Sequence, residues 1–574
     1  MKILTLHTDY IKFRPLKKAL KSMKDLKEKE KKEQEVKEAL VVLTAVEKTD
    51  ADVKAAVKEL VKQVKDIASQ VKTKNIVLYP YAHLSSNLSK PDTAVKVLDE
   101  AEKALKKQKF KVFKAPFGYY KEFEMKVKGH PLSELSREIV LKGNDVESEK
   151  GEEEKYDPKQ LLNEISKAKL DTSKLKKNDH RIIGKQMDLF SFNDVAPGMA
   201  FFHNNGLIIY NELVEFWREL HRKYNYLEIS TPQVLDKRLW QISGHWEKYK
   251  DNIFLTDYEG RDFAVKPMNC PGGLLVFKTD SKSYRDLPLR VAELGTVHRQ
   301  ELSGVLAGLF RVIRFTQDDG HVFCRNEKQL ESELIEVMKM VDEIYSKFGF
   351  KYNVELSTRP EKRIGSDAMW DKAEKALENV LKKQKKKYKI NKGDGAFYGP
   401  KIDFHLKDSL GRTWQCGTIQ VDFAMPERFE IEYTDEDNKK KRPIMIHRAI
   451  YGSLERFIGI LIEHFNGRFP VWLAPVQVRV LNFTDRNTKT AEKVLKKIQS
   501  EIPNVRIDSD FSNSTMSSKV KNAELMRIPY IITIGDKEEK AGTIAVRSKG
   551  KKKISSEKVD DFISKLRKEI WERR

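Results

Sequence analysis

The chain has 574 residues, of which 109 are Lys or Arg and 86 are Asp or Glu, so its formal net charge is +23 at pH 7. This length exceeds what one hydrophobic core supports, and a hydrophobic fraction of 40% excludes a wholly disordered chain. The surplus of positive charge is typical of a protein that handles a polyanion, although solvated lysine surfaces give the same surplus.

The cysteines and the apolar runs bear on the cellular compartment. Cys270, Cys324 and Cys416 lie far apart, which indicates a reducing compartment rather than a disulfide framework. His7 and Asp9 come too early for the apolar region of a signal peptide, and no apolar run approaches the roughly 20 residues that span a bilayer. We therefore expect a cytoplasmic protein without a membrane segment.

The first segment of the chain alternates strand and helix patterns. Apolar and β-branched residues predict strands in MKILTLHTDY, KEALVVLTAVEK, NIVLYPYAHL, FKVFKAPF and YYKEFEMKVKG. Helices are predicted over residues 51–71 and 92–107, each with one apolar face. Residues 1–142 are thus predicted to form a compact α+β domain, and the polar, charged residues 143–190 a linker.

The remainder of the chain divides into a long middle segment and a shorter last one. In residues 191–474 the runs FAVKPM, RVAELGTVHRQ, FRVIRFTQDDGHVF, KIDFHLKD, TWQCGTIQVDF and FEIEYTD predict one large, mainly antiparallel sheet, with helical insertions over 329–348 and 370–389. The lysine run LKKQKKKYK fits a solvated helix end as well as an RNA contact. Residues 475–574 return to strand–helix alternation, including a helix over 519–527, which predicts an α/β domain.

The densest set of candidate ligand groups lies in TVHRQELSG and FRVIRFTQDDGH. Arg299 and Arg311 can donate paired hydrogen bonds to phosphate oxygens. Glu301 can accept from an exocyclic amine, and Phe315 can stack on a flat base. A hairpin with surface ion pairs explains any one Arg–Glu pair but not the whole run.

A second set consists of Cys270, His321 and His447. Their spacing alone is weak evidence for a metal, and a buried cysteine with two ordinary histidines is the simpler alternative. Three protein ligands would leave the fourth tetrahedral position open for a substrate. Arg456, in HRAIYGSLERF, follows His447 on the first turns of a predicted helix, where it can reach a terminal phosphate or pair with a neighbouring Glu.

Together these motifs resemble class II aminoacyl-tRNA synthetases, and the threonyl-tRNA synthetase family in particular. The resemblance covers residues 197–547 and rests on KPMNCPG, SGHWEKYKDN, HRQELSG, FTQDDGH, YGPKIDFHL, WQCGTIQ and HRAIYGSLERF. It implies a class II antiparallel-sheet catalytic core in residues 191–474 and an α/β anticodon-binding domain in 475–574. The chain departs from the family pattern at Gly273, where a histidine is common, and at Ala307.

The resemblance also implies a role for each candidate residue of the core. The catalytic residues would be Arg299, Lys401, Arg456 and His245, the last facing the tRNA 3′ end. The implied ligands are ATP with Mg²⁺ (Arg299, Glu301, Arg311, Phe315, Arg456), L-threonine (Gln317, Asp319, Tyr398, Gln415) and one zinc ion per subunit (Cys270, His321, His447). Pro232, in EISTPQV, resembles the proline of the dimer-interface motif and implies a homodimer.

Residues 1–140 resemble the editing domain of archaeal members of this family, which is related in fold to D-aminoacyl-tRNA deacylases. The resemblance implies hydrolysis of seryl-tRNA(Thr), with four side chains around the 3′-adenosine and the ester: His83, Tyr120, Lys121 and Glu134. In residues 475–574 the implied anticodon contacts to tRNA(Thr) are Asn513, Arg527, Glu538 and Arg547, with ordinary surface residues as the alternative.

The predicted chemistry gives a reason for an editing domain. A zinc ion that takes the amino and hydroxyl groups of threonine rejects valine by as much as ~10⁴–10⁵, whereas serine lacks only a methyl group and is rejected roughly 10–200-fold. Two alternatives stay open: a non-catalytic RNA-binding paralogue, and a synthetase for another small amino acid such as serine or proline. The intact Arg299 and Arg456 argue against the first, and the Cys/His/His set argues against the second.

Overall fold

The computed structural model describes residues 1–20, 23, 25–28, 30–85, 87–139, 159, 162, 175–551 and 553–574. The chain forms two compact units, Met1–Lys155 and Tyr156–Arg574. Most of the predicted linker lies outside the described residues, and the described end of it contains the helix His180–Gln186. Among the helices that are described, none is both long and apolar enough to traverse a bilayer.

The first unit is a six-stranded sheet with two helices packed on one face. In the sheet, β2 runs antiparallel to β1 and parallel to β3, while β5 and β6 both pair with β1. Its elements are β1 (Lys2–Lys18), β2 (Gln34–Ala45), α1 (Val53–Gln70), β3 (Asn75–Pro80), α2 (Pro91–Lys107), β4 (Lys111–Lys114), β5 (Tyr119–Val127) and β6 (Glu134–Glu138).

The two helices of this unit form where their sequence predicts them. The Asp52 carboxylate caps α1 by accepting from the backbone N–H groups of Lys54 and Ala55. Leu60 and Val64 of α1 and Val97 of α2 are fully buried in one core with the sheet. The predictions of helices over 51–71 and 92–107 are therefore confirmed.

The second unit contains an eight-stranded sheet with the order β17-β16-β18-β19-β22-β15-β14-β9. All pairs are antiparallel except the outermost one at each end. Its strands and those of the small sheets beside it are β7 (Phe190–Ser191), β8 (Phe201–Phe202), β9 (Leu227–Glu228), β10 (Val234–Asp236), β11 (Leu255–Tyr258), β12 (Arg261–Val265), β13 (Lys282–Ser283), β14 (Leu289–His298), β15 (Arg314–Cys324), β16 (Lys351–Ser357), β17 (Tyr388–Asn391), β18 (Lys401–Lys407), β19 (Thr413–Asp422), β20 (Tyr433–Thr434), β21 (Lys440–Lys441) and β22 (Ile444–Ser453).

The main core lies between this sheet and the helices that cover one of its faces. Trp217, Tyr345 and Phe457, each on a different helix, are fully buried there. The helices of this part are α3 (His180–Gln186), α4 (Asn204–Lys223), α5 (Lys237–Ile242), α6 (His245–Tyr249), α7 (Cys270–Lys278), α8 (Glu327–Lys347), α9 (Asp367–Lys383), α10 (Ala424–Arg428) and α11 (Leu454–His464).

The last hundred residues form a five-stranded sheet with its own core, in which β23 runs parallel to both β24 and β25. Its elements are β23 (Val478–Asn482), α12 (Thr488–Glu501), β24 (Ile507–Asp510), α13 (Met516–Leu525), β25 (Tyr530–Ile534), α14 (Asp536–Ala541), β26 (Thr543–Ser548), β27 (Ser555–Lys558) and α15 (Val559–Trp571). The predicted fold class, with an α+β first domain, an antiparallel-sheet core and an α/β last domain, is confirmed. The predicted domain boundaries stay predictions.

Three local predictions differ from the structure. The helix predicted over 370–389 ends at Lys383, because Lys385 adopts a positive φ of 50°, and the lysine run continues into strand β17. The strand predicted in FEIEYTD is reduced to Tyr433–Thr434. The strand predicted in FRVIRFTQDDGHVF begins only at Arg314, after a short 3₁₀ turn.

Candidate functional sites

A cavity of about 500 Å³ opens on the large sheet, beside β15, β18, β19, β22 and the start of α11. Residues that alternate along a strand share a face, which is why Phe315, Gln317 and Asp319 of β15 all line it. The lining includes every predicted residue of the catalytic core except His245 and His321: Cys270, Arg299, Glu301, Arg311, Phe315, Gln317, Asp319, Tyr398, Lys401, Gln415, His447 and Arg456.

Backbone carbonyl groups orient two arginines of this cavity. Arg456 donates through Nε to the carbonyl of Phe310 at 2.9 Å and through Nη1 to that of Gln415 at 3.3 Å. Arg299 donates through Nε to the carbonyl of Pro267 at 3.3 Å. These contacts hold each guanidinium by one edge, so the cavity presents positive charge at defined positions suited to phosphate oxygens.

An aromatic ring and an ion pair complete this side of the cavity. The Phe315 ring centroid lies 5.1 Å from Arg299 Cζ, so one face of the ring is covered by a guanidinium. Arg311 donates through Nε and Nη2 to Glu301 Oε2, at 3.1 and 2.8 Å. The Arg–Glu pair that sequence offered as a surface contact does form, and both of its members line the cavity.

Asp403 is a buried carboxylate that the sequence analysis did not single out, and it accepts hydrogen bonds from polar groups on the other side of the cavity. Asp403, on β18, accepts from Gln415 Nε2 at 2.7 Å and from Thr418 Oγ1 at 2.8 Å. Its other oxygen lies 3.0 Å from Lys401 Nζ. Asp403 is 2% exposed, and the signal for it was an acidic residue inside the apolar strand KIDFHL.

The predicted amino-acid ligands lie beside this network. Asp319 accepts from Asn269 Nδ2 at 3.3 Å, and burial raises the pKa of its carboxyl group. The Tyr398 hydroxyl donates to Gln420 Oε1 at 2.9 Å. Gln317 Oε1 is buried and has no hydrogen-bond partner among the described residues. These groups form a pocket that can accept from an ammonium group and donate to a carboxylate.

Cys270, His321 and His447 come from α7, β15 and β22. The two histidines are cross-strand neighbours whose ring centroids lie 5.0 Å apart, and Cys270 and His447 line the cavity. Both ring nitrogens of His321 are buried and have no hydrogen-bond partner in the part of the chain that the structure describes, and His447 Nε2 lies 2.9 Å from Asp422 Oδ2. Two imidazoles, one of them next to a carboxylate, and one thiol are the kinds of donor group that zinc prefers.

Another cluster in the second unit has closer ligand atoms. Among the residues that the structure describes, Asp179, His180 and Glu463 are the only such group with ligand atoms all within 4.8 Å of one another, so the predicted trio is not drawn together as tightly. Both nitrogens of His180 are already used: Nδ1 lies 2.7 Å from Glu463 Oε1, and Nε2 accepts from the N–H of Leu309 at 3.0 Å. This cluster is therefore a hydrogen-bonded contact between α3 and α11.

His245 is not in the cavity lining. Its side chain is fully buried, with Nδ1 2.8 Å from Ser243 Oγ and Nε2 without a partner among the described residues. The ring packs edge-on against Phe397 at 5.7 Å, and burial lowers its pKa to about 3. The role predicted for His245 at the tRNA 3′ end stays a prediction, since this arrangement leaves it covered.

The first unit has a cavity of its own, of about 600 Å³. It lies beside the ends of β3 and β5, and its lining contains three of the four predicted editing residues: His83, Tyr120 and Lys121. Glu134, on β6, is exposed and does not line this cavity, so its predicted role stays a prediction. Tyr79, which sequence analysis did not single out, lines the cavity and has its pKa raised to about 12 by burial.

Lys121 is a half-buried cation that lines this cavity. Its Nζ donates to the backbone carbonyls of Pro116 and Tyr119, both at 2.9 Å, and lies 5.2 Å from the centroid of the Tyr79 ring. Burial lowers the pKa of Lys121 to about 8. A lysine with two neutral carbonyl acceptors keeps its charge uncompensated, so it can attract an anionic ligand such as an RNA phosphate.

A third cavity, of about 290 Å³, lies in the last part of the chain and is lined by Arg527 and Arg547. Arg468 and Lys549, which the sequence analysis did not assign, also line it. Lys549 donates to the carbonyl of Phe469 at 3.0 Å, and burial lowers its pKa to about 8. Lys549 opens the lysine-rich run KGKKK, which directly follows β26.

The four predicted anticodon residues do not share one pocket. Asn513 and Glu538 follow the carboxyl ends of the parallel strands β24 and β25. Arg527 precedes β25, and Arg547 is paired in register with Ile531 near the amino end of that strand. The two pairs therefore lie at opposite ends of the strands in the five-stranded sheet.

Comparison with known protein families covers most of the chain. Residues 1–139 match the archaea-specific editing domain of threonyl-tRNA synthetase. Residues 249–465 match the class II core domain of the tRNA synthetases for G, H, P, S and T, and residues 477–569 match an anticodon-binding domain. These ranges contain all the predicted site residues except His245.

Individual relatives agree with these matches. A threonine–tRNA ligase of Desulforamulus reducens is 54% identical over 395 residues, which is 69% of this chain and 62% of that protein; one of Caldanaerobacter subterraneus is also 54% identical, over 61% of its length. The chain thus spans about three fifths of these relatives. A crystal structure titled as the RNA binding domain of threonyl-tRNA synthetase from Cryptosporidium parvum superposes with a TM-score of 0.65, at 38% identity over 68% of this chain and 97% of that one. The chain therefore belongs to the threonyl-tRNA synthetase family.

Proposed function

We propose that this chain joins threonine to tRNA(Thr) at the expense of ATP and hydrolyses seryl-tRNA(Thr) that is formed in error. The observation that carries the first activity is the cavity on the eight-stranded sheet. Its lining contains side chains predicted to bind nucleotide, amino acid and metal, from sequence positions 270 to 456. A site that holds both substrates of a condensation in one enclosed space is what adenylate formation requires.

ATP would be held by the arginine side of the cavity. Phe315 and Glu301 offer a stacking face and an acceptor for adenine, and Arg299 and Arg456 offer charge to the α- and γ-phosphates. Mg²⁺ would accompany the phosphates, as it does in other phosphoryl-transfer sites. The threonine carboxylate then attacks the α-phosphorus, and pyrophosphate leaves. Positioning and neutralisation of charge are the main contributions of the protein to this step.

Threonine would be selected by the Cys270, His321 and His447 set. When bound, zinc would supply a Lewis acid that takes the amino and hydroxyl groups of the substrate. Asp319 is placed to accept from the ammonium group, and Lys401 carries a cation suited to the carboxylate. Serine retains both zinc-binding groups, so rejection of serine at this site stays within roughly 10–200-fold and a second site is needed.

Editing is assigned to the cavity of the first unit. His83, Tyr120 and Lys121 surround a space large enough for a nucleoside and its amino-acid ester, and the ammonium of Lys121 attracts the RNA backbone. The tRNA would also contact the last domain through the predicted anticodon residues. We infer a cytoplasmic location, because the proposed reaction consumes ATP and uncharged tRNA.

The chain is also proposed to be a homodimer. Pro232 is exposed in the segment that resembles the dimer-interface motif. Apolar side chains on both sides of this segment are unusually exposed: Leu227 (59%), Val234 (47%), Leu255 (50%) and Tyr258 (58%). Leu227 lies on β9, an end strand of the eight-stranded sheet, which leaves an edge for a second copy to cover.

Exchange of labelled pyrophosphate into ATP tests the synthetase activity. The full chain with Mg²⁺ and Zn²⁺ is expected to support exchange with threonine, about 10–200-fold less efficiently with serine, and at least ~10⁴-fold less efficiently with valine. A chain that exchanges with no amino acid would instead be an RNA-binding paralogue. Equal or better exchange with proline or serine would assign a different amino acid to the site.

A variant in the first unit tests the editing activity separately. Lys121→Ala in the full chain is expected to slow hydrolysis of seryl-tRNA(Thr) by about 10–100-fold, the equivalent of one charged hydrogen bond, and to leave threonine-dependent exchange unchanged. Lys126→Ala is the matched control, since Lys126 lies on the same strand and pairs with Asp9 at the surface. Wild-type hydrolysis by Lys121→Ala would contradict the assignment.

A further inference from the structure

The strand that leads to Arg456 contains an irregularity at the edge of the catalytic cavity. Between β15 and β22, Gln317 pairs with Ser453 and Asp319 pairs with Ala449. An advance of two residues along β15 thus corresponds to an advance of four residues along β22. Residues 450–452 form a bulge, and β19 pairs with β22 only as far as Ala449. The bulge leaves three consecutive backbone N–H groups without a strand partner.

The side chain of Asp318 supplies partners for all three groups. Its Oδ2 accepts from the N–H of Ile450 at 2.8 Å and of Tyr451 at 3.1 Å, and its Oδ1 accepts from Gly452 at 2.8 Å. Asp318 is fully buried. Because it alternates with Gln317 and Asp319 along the strand, it projects to the side opposite the cavity and does not line it.

A second carboxylate provides a hydrogen-bond acceptor for the strand opposite the bulge. Opposite the bulge, the N–H of Thr316 donates to Glu455 Oε2 at 2.9 Å, and Ser453 Oγ donates to the same oxygen at 3.1 Å. Each of the two segments thus contributes a carboxylate that accepts from the backbone of the other. These reciprocal hydrogen bonds between the two segments fix both the position and the direction of the chain where it leaves the sheet.

The residues that follow the bulge belong to the nucleotide side of the cavity. Gly452 has φ 77°, and a Cβ there would lie 2.6 Å from the carbonyl oxygen of Cys416, so the turn has one conformation and little space. Ser453 caps α11 by accepting from the N–H of Arg456. The position of Arg456 on the first turn of α11 is therefore set by the bulge, and the bulge in turn is held by Asp318.

We propose that Asp318 is a positioning residue for ATP: it acts through the bulge 450–452 to place the guanidinium of Arg456 against the phosphates. This inference rests on the proposed synthetase function. The two neighbouring acidic residues of FTQDDGH thus have different roles. Asp319 faces the amino acid inside the cavity, whereas Asp318 acts on the nucleotide side from the opposite face of the sheet. Gln317 and Asp319 are also paired with β14, which holds them independently of the bulge.

The test is Asp318→Asn in the full chain, assayed by threonine-dependent pyrophosphate exchange. The amide keeps the shape of the carboxylate but turns one acceptor into a donor that faces N–H groups. We expect the KM for ATP to rise at least about tenfold, while the KM for threonine changes by less than about threefold, because a small displacement of a positioned group has effects of this size. Glu455→Gln is expected to change the same parameter in the same direction.

A double-mutant cycle distinguishes positioning from a general loss of structure. If Asp318 acts through Arg456, then Asp318→Asn adds less than about twofold to the loss of kcat/KM for ATP already caused by Arg456→Ala. Asp408→Asn is the matched control: Asp408 is a buried carboxylate that accepts from the N–H groups of Leu410 and Arg412 and does not line the cavity. It is expected to lower Tm without changing the ratio of the two KM values.

Three results would overturn the proposal. The first is an unchanged KM for ATP in a folded Asp318→Asn variant. The second is a loss of kcat/KM that multiplies with that of Arg456→Ala, and the third is the same change in KM for ATP in Asp408→Asn. A wild-type chain that shows no threonine-dependent exchange would instead overturn the proposed function, so the two failures are distinguishable.

Discussion

Replacing Arg456 by alanine is expected to lower kcat/KM for ATP in threonine-dependent exchange about 10³-fold, which corresponds to about 4 kcal/mol of transition-state stabilisation. The guanidinium is held by the carbonyls of Phe310 and Gln415, so its charge is in place before ATP arrives. Preorganised charge of this kind is worth more in an enclosed site than in water. Steady-state exchange at varied ATP concentrations measures the effect.

Arg222→Ala provides the control for this prediction. Arg222 lies on α4, is mostly exposed and pairs with Glu215, so its loss removes a positive charge without touching the cavity. We expect its exchange activity to stay within about twofold of the wild type, since surface ion pairs contribute little. A loss of less than tenfold in Arg456→Ala would show that this arginine does not hold the phosphates.

Cys270→Ala is expected to abolish both zinc binding and threonine activation. The variant should retain less than a tenth of the zinc of the wild-type chain by elemental analysis, because two histidines alone make a weak site. Exchange with threonine should fall by at least about 10³-fold, since the hydroxyl and amino groups lose their common partner. Hydrolysis of seryl-tRNA(Thr) should be unchanged, because that activity is assigned to the first unit.

Cys324→Ala separates the metal from the loss of a buried thiol. Cys324 is fully buried in the main core and does not line the cavity. Its replacement should lower the free energy of unfolding by about 1 kcal/mol and leave the zinc content unchanged. If Cys270→Ala retained its zinc and its threonine activity, the assigned ligand set would be wrong.

The periodic elements of this chain could be predicted because burial dictates them locally. Helices α1 and α2 show their apolar stripe in sequence, and β14, β18 and β19 show apolar runs bounded by turns. The end of α9 could not be predicted in this way. Residues 384–389 are all compatible with a helix, and it is the left-handed conformation at Lys385 that turns the chain into an edge strand.

The candidate site was predictable at residues that line the cavity and less so at residues that hold those residues in place. Arg299, Asp319 and Tyr398 stand in dense motifs and all line the cavity. Asp403 and Asp318 act on neighbouring side chains and backbone groups, and such roles depend on cross-strand register that no local pattern reveals. Burial of His245 likewise arises from packing against distant Phe397.

The predicted anticodon residues lie at opposite ends of the strands of the last sheet, which would constrain the shape of an RNA that contacts all of them. Strand β25 has five residues, so the two ends of the sheet that carry Glu538 and Arg527 are separated by about 16 Å. Three stacked nucleotides extend only about 7 Å, at roughly 3.4 Å for each step. A loop that contacts both ends must therefore unstack and spread its bases over the sheet.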